Sequence, residues 1–160
     1  MRKVGLIVVA LGLSVAGIFA QEMAGDRGQA TLDLGGGKVT VEYGRPALAG
    51  RDVKAMLQPG MEWRMGSNAA TTLTTDVDLK FNDKALAKGK YILKAKLIEE
   101  GKWSLLTLGE DEKVAAEVPM KVGSNAKPVE QVTITLGKEG NGGKLTVSWG
   151  TLNVAASFQR

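Results

Sequence analysis

The chain has 160 residues, carries 21 Lys and Arg against 17 Asp and Glu for a formal charge of +4, and contains neither His nor Cys. Without His there is no Ser-His-Asp triad, no imidazole base and no imidazole metal ligand. Without Cys there are no disulfides, thiol nucleophiles or thiolate metal sites.

Arg2-Lys3, the uncharged run Val4 to Phe19 and the small Ala20 before Gln21-Glu22 predict a secretory signal peptide over residues 1–20. Ser14-Val15-Ala16 is an earlier cleavage point. The apolar run is shorter than the roughly 20 residues of a spanning helix, which favours cleavage over an uncleaved membrane anchor, and no membrane span is expected after cleavage. The expected location is secreted or periplasmic. Leaving out Arg2 and Lys3, 19 basic residues face 17 acidic ones. Charges of both signs intersperse from Asp52 to Lys144, with no basic block carrying aromatics, which argues against a nucleic-acid partner. Residues 21–160 are expected to form one domain, large enough to bury a core without disulfides.

Gly25 to Gly37 reads as a loose glycine-rich start. Within it, Gly35-Gly36-Gly37 reads as the turn of a hairpin between Thr31–Leu34 and Lys38–Tyr43, and it lacks the Lys-Ser/Thr of a phosphate loop. Asp52 to Leu57 predicts the one short helix, stopped by Pro59 and Gly60. Alternation of Leu73, Thr75, Val77, Leu79 and Phe81 with polar residues predicts a strand over 71–81, closed by Asn82-Asp83. Tyr91, Leu93, Ala95 and Leu97 alternate likewise, and Glu99-Glu100-Gly101 turns the chain. Val132, Ile134 and Leu136 form a strand joined by Gly140 to Gly143 to a run with Leu145, Val147 and Trp149, and Leu152 to Phe158 closes the chain. Strand-sized runs of this spacing predict an all-β fold, a single antiparallel β-sandwich that is jelly-roll-like or barrel-like.

Few residues offer chemistry. Glu42, Asp52 and Glu62 are the carboxylates for a hydrolase, the least favoured alternative, which needs two of them facing each other across a pocket. Asp76 and Asp78 share a strand face but lack the further ligands a calcium site needs. Glu110-Asp111-Glu112 reads as a solvated loop. Neither a metal nor a cofactor is implied.

The segment from Tyr43 to Thr71 is different. It gathers Arg45, Arg51, Arg64 and Asn68 beside Tyr43 and Trp63. Guanidinium groups present forked donors to carboxylates, phosphates or sugar hydroxyls, and indole and phenol rings give flat faces for a sugar or an arginine. Tyr43, Arg45, Arg51, Trp63, Arg64, Asn68 and Thr71 are therefore the candidate ligand-binding residues. The partner would be a small-molecule or glycan ligand that is anionic or polyhydroxylated, such as a sugar acid or cell-wall fragment. The alternative is an envelope module with a protein partner, in which the arginines brace loops by pairing with Glu42, Asp52 or Glu62.

The same residues resemble the bacterial domain-of-unknown-function family numbered 2911: Tyr43-x-Arg45-Pro46, Gly50-Arg51, then Trp63-Arg64-x-Gly66-x-Asn68-x-x-Thr71. The likeness continues through Lys88-Gly89-Lys90-Tyr91 and the last hairpin, Val129 to Leu136 and Leu145 to Phe158. It implies an exported β-rich bacterial domain and no activity. Gly44 stands where a small hydroxyl residue is expected, and Gly109 to Lys127 is shorter and plainer than expected.

Overall fold

The computed structural model describes residues 27–160; the predicted signal peptide lies outside them. Ten strands and one helix follow in order: β1 (Arg27–Asp33), β2 (Lys38–Gly44), α1 (Val53–Met56), β3 (Glu62–Trp63), β4 (Thr71–Thr75), β5 (Leu79–Phe81), β6 (Lys84–Leu86), β7 (Gly89–Glu99), β8 (Lys102–Leu108), β9 (Val114–Glu139) and β10 (Gly142–Phe158). The main sheet runs β1-β2-β4-β7-β8-β9-β10, with β3 on β7, and its pairs are antiparallel. It is nearly closed into a barrel, as the alternating patterns predict. The inward set, Val39, Val41, Leu73, Leu93, Ala95, Leu105, Val132, Leu145 and Val147, is fully buried in one apolar core.

Two expectations are corrected. The strand predicted over 71–81 is two strands in different sheets, because β5 pairs with β6 and meets the chain beyond β10 only at a single bridge, Lys80 to Gln159. Asp76 and Asp78 alternate like strand residues, but their carboxylates accept main-chain N–H bonds from Lys38 at 3.0 Å and Lys88 at 2.8 Å. The partners lie 38 and 10 residues away in sequence, so each carboxylate ties this turn to the main chain of another segment. The loose start is also shorter than expected: β1 already pairs with β2 from Arg27↔Gly44 onwards. The helix lies where predicted. Asp52 caps it, accepting from the Lys54 N–H at 2.9 Å.

β9 determines how the barrel closes. Its first part pairs with β8 as far as Trp103↔Met120. From Lys121 to Ser124 it pairs with β10, and it does so again from Val129 to Glu139. Between these stretches β9 carries residues 125–128 opposite Thr151 alone, a bulge that bends the strand. Asn125 fills the bulge. It donates to the carbonyls of Gly150 (3.0 Å) and Leu152 (2.9 Å) and accepts from Asn153 at 3.0 Å. Gly150 itself takes a positive φ of 57°, which costs glycine little.

Candidate functional site

The segment after β2 lies along the far half of β9 as a seam. The Val132 N–H donates to the Pro46 carbonyl at 3.2 Å and the Leu48 N–H to the Glu130 carbonyl at 2.6 Å, and Ala47 bridges to Gln131. Two candidate residues belong to this seam. Tyr43 is buried, with its hydroxyl donating to the Ile134 carbonyl at 3.4 Å. Arg45 is half-buried and donates from Nε to the Val132 carbonyl at 3.2 Å.

Trp63, Arg64, Asn68 and Thr71 build a second feature, the loop between β3 and β4. Met65 and Asn68 both take left-handed backbone, at φ 55° and 62°, although neither is glycine. Such strain persists where surrounding contacts fix it. Here the buried Thr71 hydroxyl donates to the Arg64 carbonyl at 2.6 Å, and Arg64 Nη1 donates to the Asn68 carbonyl at 2.8 Å. The Met65 side chain is buried in the core. The loop also presses against the end of β2. A Cβ on Gly44 would come within 2.1 Å of the Ser67 carbonyl oxygen, and one on Gly66 within 2.8 Å of the Gly44 oxygen. The missing side chain at position 44 thus has a steric counterpart in this chain.

Arg51 belongs to a third feature. It donates to the carbonyls of Leu48 (3.1 Å) and Ala47 (2.8 Å), and its guanidinium lies 5.5 Å from the centre of the Trp149 ring. Trp149 stacks on Trp63 with centroids 5.8 Å apart and planes 12° from parallel, and Trp63 meets Trp103 edge-on at 6.4 Å. The chain's three tryptophans therefore form one cluster. Trp149 Nε1 is buried and, among the described residues, has no hydrogen-bond partner.

The three motif arginines are hydrogen-bonded within the protein, but to acceptors other than the expected carboxylates. Among the described residues no arginine lies within 4 Å of a carboxylate; Arg45, Arg51 and Arg64 all donate to main-chain carbonyls. The three carboxylates considered for hydrolysis have separate surroundings. Asp52 caps α1, Glu62 pairs with Lys94 at 3.4 Å, and Glu42 is exposed on β2.

An open cleft of about 430 Å³ lies beside the tryptophan cluster, between α1, the β7–β8 turn, β9 and β10. Leu97, Trp103, Val122 and Leu152 line it, with Lys54 and Glu100 as its charged residues. None of the seven candidate residues lines it. No sequence pattern marks this cleft, because its walls come from several separate elements; in the structure Val122 is an apolar residue left 40% exposed beside it.

A model for a family described as a protein of unknown function, DUF2911, matches residues 26–158. No curated protein and no solved structure matches the chain.

Proposed function

The chain belongs to the DUF2911 family, and from that premise we propose that it is an exported, non-catalytic binding module for an anionic or polyhydroxylated ligand, such as a sugar acid or cell-wall fragment. One observation carries this reading: among the described residues the motif arginines are held in place by carbonyls and not neutralised by carboxylates. A guanidinium has five donors. Arg45 and Arg64 each use one within the protein and Arg51 uses two. Exposed Arg51 and Arg64 keep donors for an oxyanion, and their positions are already fixed, which lowers the ordering cost of binding.

The test is a thermal-shift screen of the full chain against sugar acids and peptidoglycan fragments, followed by Asn68→Gly. Glycine accepts the left-handed backbone at this position, and among the described residues the Asn68 side chain makes no hydrogen bond, so the melting temperature should stay near wild type. Saturating ligand raises stability by about 2.7 kcal/mol at 100 times Kd. A ligand-induced shift that disappears in Asn68→Gly supports the reading; no shift with any ligand removes it.

The second reading is an envelope module in which the arginines are internal braces. The Arg45 bond to β9 favours it, since it ties the seam to the barrel. It predicts that Arg64→Ala and Arg45→Ala lose stability and that no ligand produces a shift.

A further inference from the structure

The cleft beside the tryptophan cluster also borders an unused strand edge. β8 pairs with β9 only as far as Trp103↔Met120. There the β7–β8 turn, with Gly101 at φ 75°, carries the chain away. β9 continues, paired with β10 through Lys121↔Ala155, Val122↔Val154, Gly123↔Asn153 and Ser124↔Leu152. Among the described residues no strand pairs with its other side over 121–124, and no loop bonds to it there. An unpaired strand edge presents N–H and C=O groups that an added strand can take.

Val122, Gly123 and Ser124 of that edge line the cleft. The cleft is largely apolar, with Leu97, Trp103 and Leu152 among its walls. Its charged residues, Lys54 on α1 and Glu100 in the β7–β8 turn, come from different walls, and neither has an ionic partner among the described residues. A free edge calls for an extended main chain, an apolar cleft beside it for an apolar side chain, and separate positive and negative rims for an occupant with both charges. An extended peptide meets all three demands through strand addition.

We propose that this domain binds an extended peptide segment, which pairs with β9 at residues 121–124 and sets an apolar side chain into the cleft over Trp103. The site uses none of the motif arginines, so it stands or falls independently of the anion-binding reading.

The probes are two end-capped pentapeptides, Lys-Val-Leu-Val-Glu and Glu-Val-Leu-Val-Lys, which cover both strand directions, and the same peptides with their three central amides N-methylated. Trp103 lines the cleft and belongs to the cluster of all three tryptophans, so intrinsic fluorescence of the full chain reports occupancy. At least one unmethylated peptide should change the emission saturably. N-methylation should weaken that peptide at least tenfold, because it removes main-chain donors and leaves the side chains in place. Ser124→Tyr, which fills the cleft beside an exposed position, should weaken it similarly while keeping the melting transition.

No saturable binding of either peptide overturns the proposal. Equal binding of the methylated peptides also overturns it, since the cleft would then be an apolar adsorption site. So does a concentration-dependent dimer, found by sedimentation without peptide and dissolved by Ser124→Tyr, because the occupant would then be a second copy.

Discussion

Arg64 donates from Nη1 to the carbonyl of Asn68, 2.8 Å away, so the motif's arginine and asparagine are joined across the turn through the main chain. The bond spans a loop with two left-handed residues, Met65 and Asn68. Removing it should release strain held only by such contacts.

Arg64→Ala is therefore expected to destabilise the domain by about 1–2 kcal/mol, the range of a hydrogen bond to a charged donor at an exposed site. Urea denaturation measures this as a lower midpoint with an unchanged slope. Arg64→Lys should recover only part of the loss, since a lysine offers a point charge in place of a fixed planar fork.

Gly44→Ser should cost more, despite being the smaller change. The new Cβ would lie 2.1 Å from the Ser67 carbonyl oxygen, and main chain on both sides leaves no flexible side chain to yield. Overpacking of this kind costs about 1–3 kcal/mol. Thermal denaturation of Gly44→Ser beside Gly35→Ser separates the clash from a general glycine effect, because Gly35 has nothing within 4 Å of its Cβ position, although its φ of 81° adds a backbone cost of its own.

Arg51 and Trp149 should show coupling in a double-mutant cycle. The guanidinium lies 5.5 Å from the ring centre, and exposed cation–π contacts contribute about 0.5–1 kcal/mol. With Arg51→Ala and Trp149→Leu as the single changes, a coupling near zero would show that Arg51 acts through its carbonyl bonds to Ala47 and Leu48 alone. Trp149→Phe, a separate change, keeps an aromatic ring and removes an indole N–H that is buried without a partner among the described residues. It should accordingly cost well below the about 3–5 kcal/mol of a Trp→Ala change.

Asn125 should be intolerant of its acidic isostere. Its amide nitrogen donates to two carbonyls, Gly150 and Leu152, and a carboxylate would face both with lone pairs. Asn125→Asp is expected to destabilise more than Asn125→Ala at neutral pH. The gap should narrow as pH falls, because protonation restores one donor. Denaturation midpoints of both variants across pH test this.

The core was legible because alternation sorts Val39, Val41 and Tyr43 from Lys38 and Glu42 without any knowledge of partners. The same rule failed at Asp76-Val77-Asp78, where alternation continued but the carboxylates took main-chain N–H groups from Lys38 and Lys88. The arginine segment was legible as unusual residues, but the arginines' acceptors were not. Every residue carries a carbonyl, so no side-chain pattern marks Val132, Leu48 or Asn68 as an acceptor. The tryptophan cluster joins residues 63, 103 and 149, and the cleft joins α1 to β10; only the curled, nearly closed sheet creates those neighbours.

β9 has 26 residues, which at about 3.3 Å each would reach about 85 Å if straight. A compact body of this size has a radius of gyration near 14 Å, so the strand must turn a corner, and the Asn125 bulge is that corner. On one side of it stands the open edge at 121–124; on the other, residues 130–134 hold the Arg45 and Tyr43 seam. The two surfaces are thus arms of a single bent beam. A shift of register at the bulge would displace both together, and the Asn125 bonds to Gly150 and Leu152 clamp its elbow.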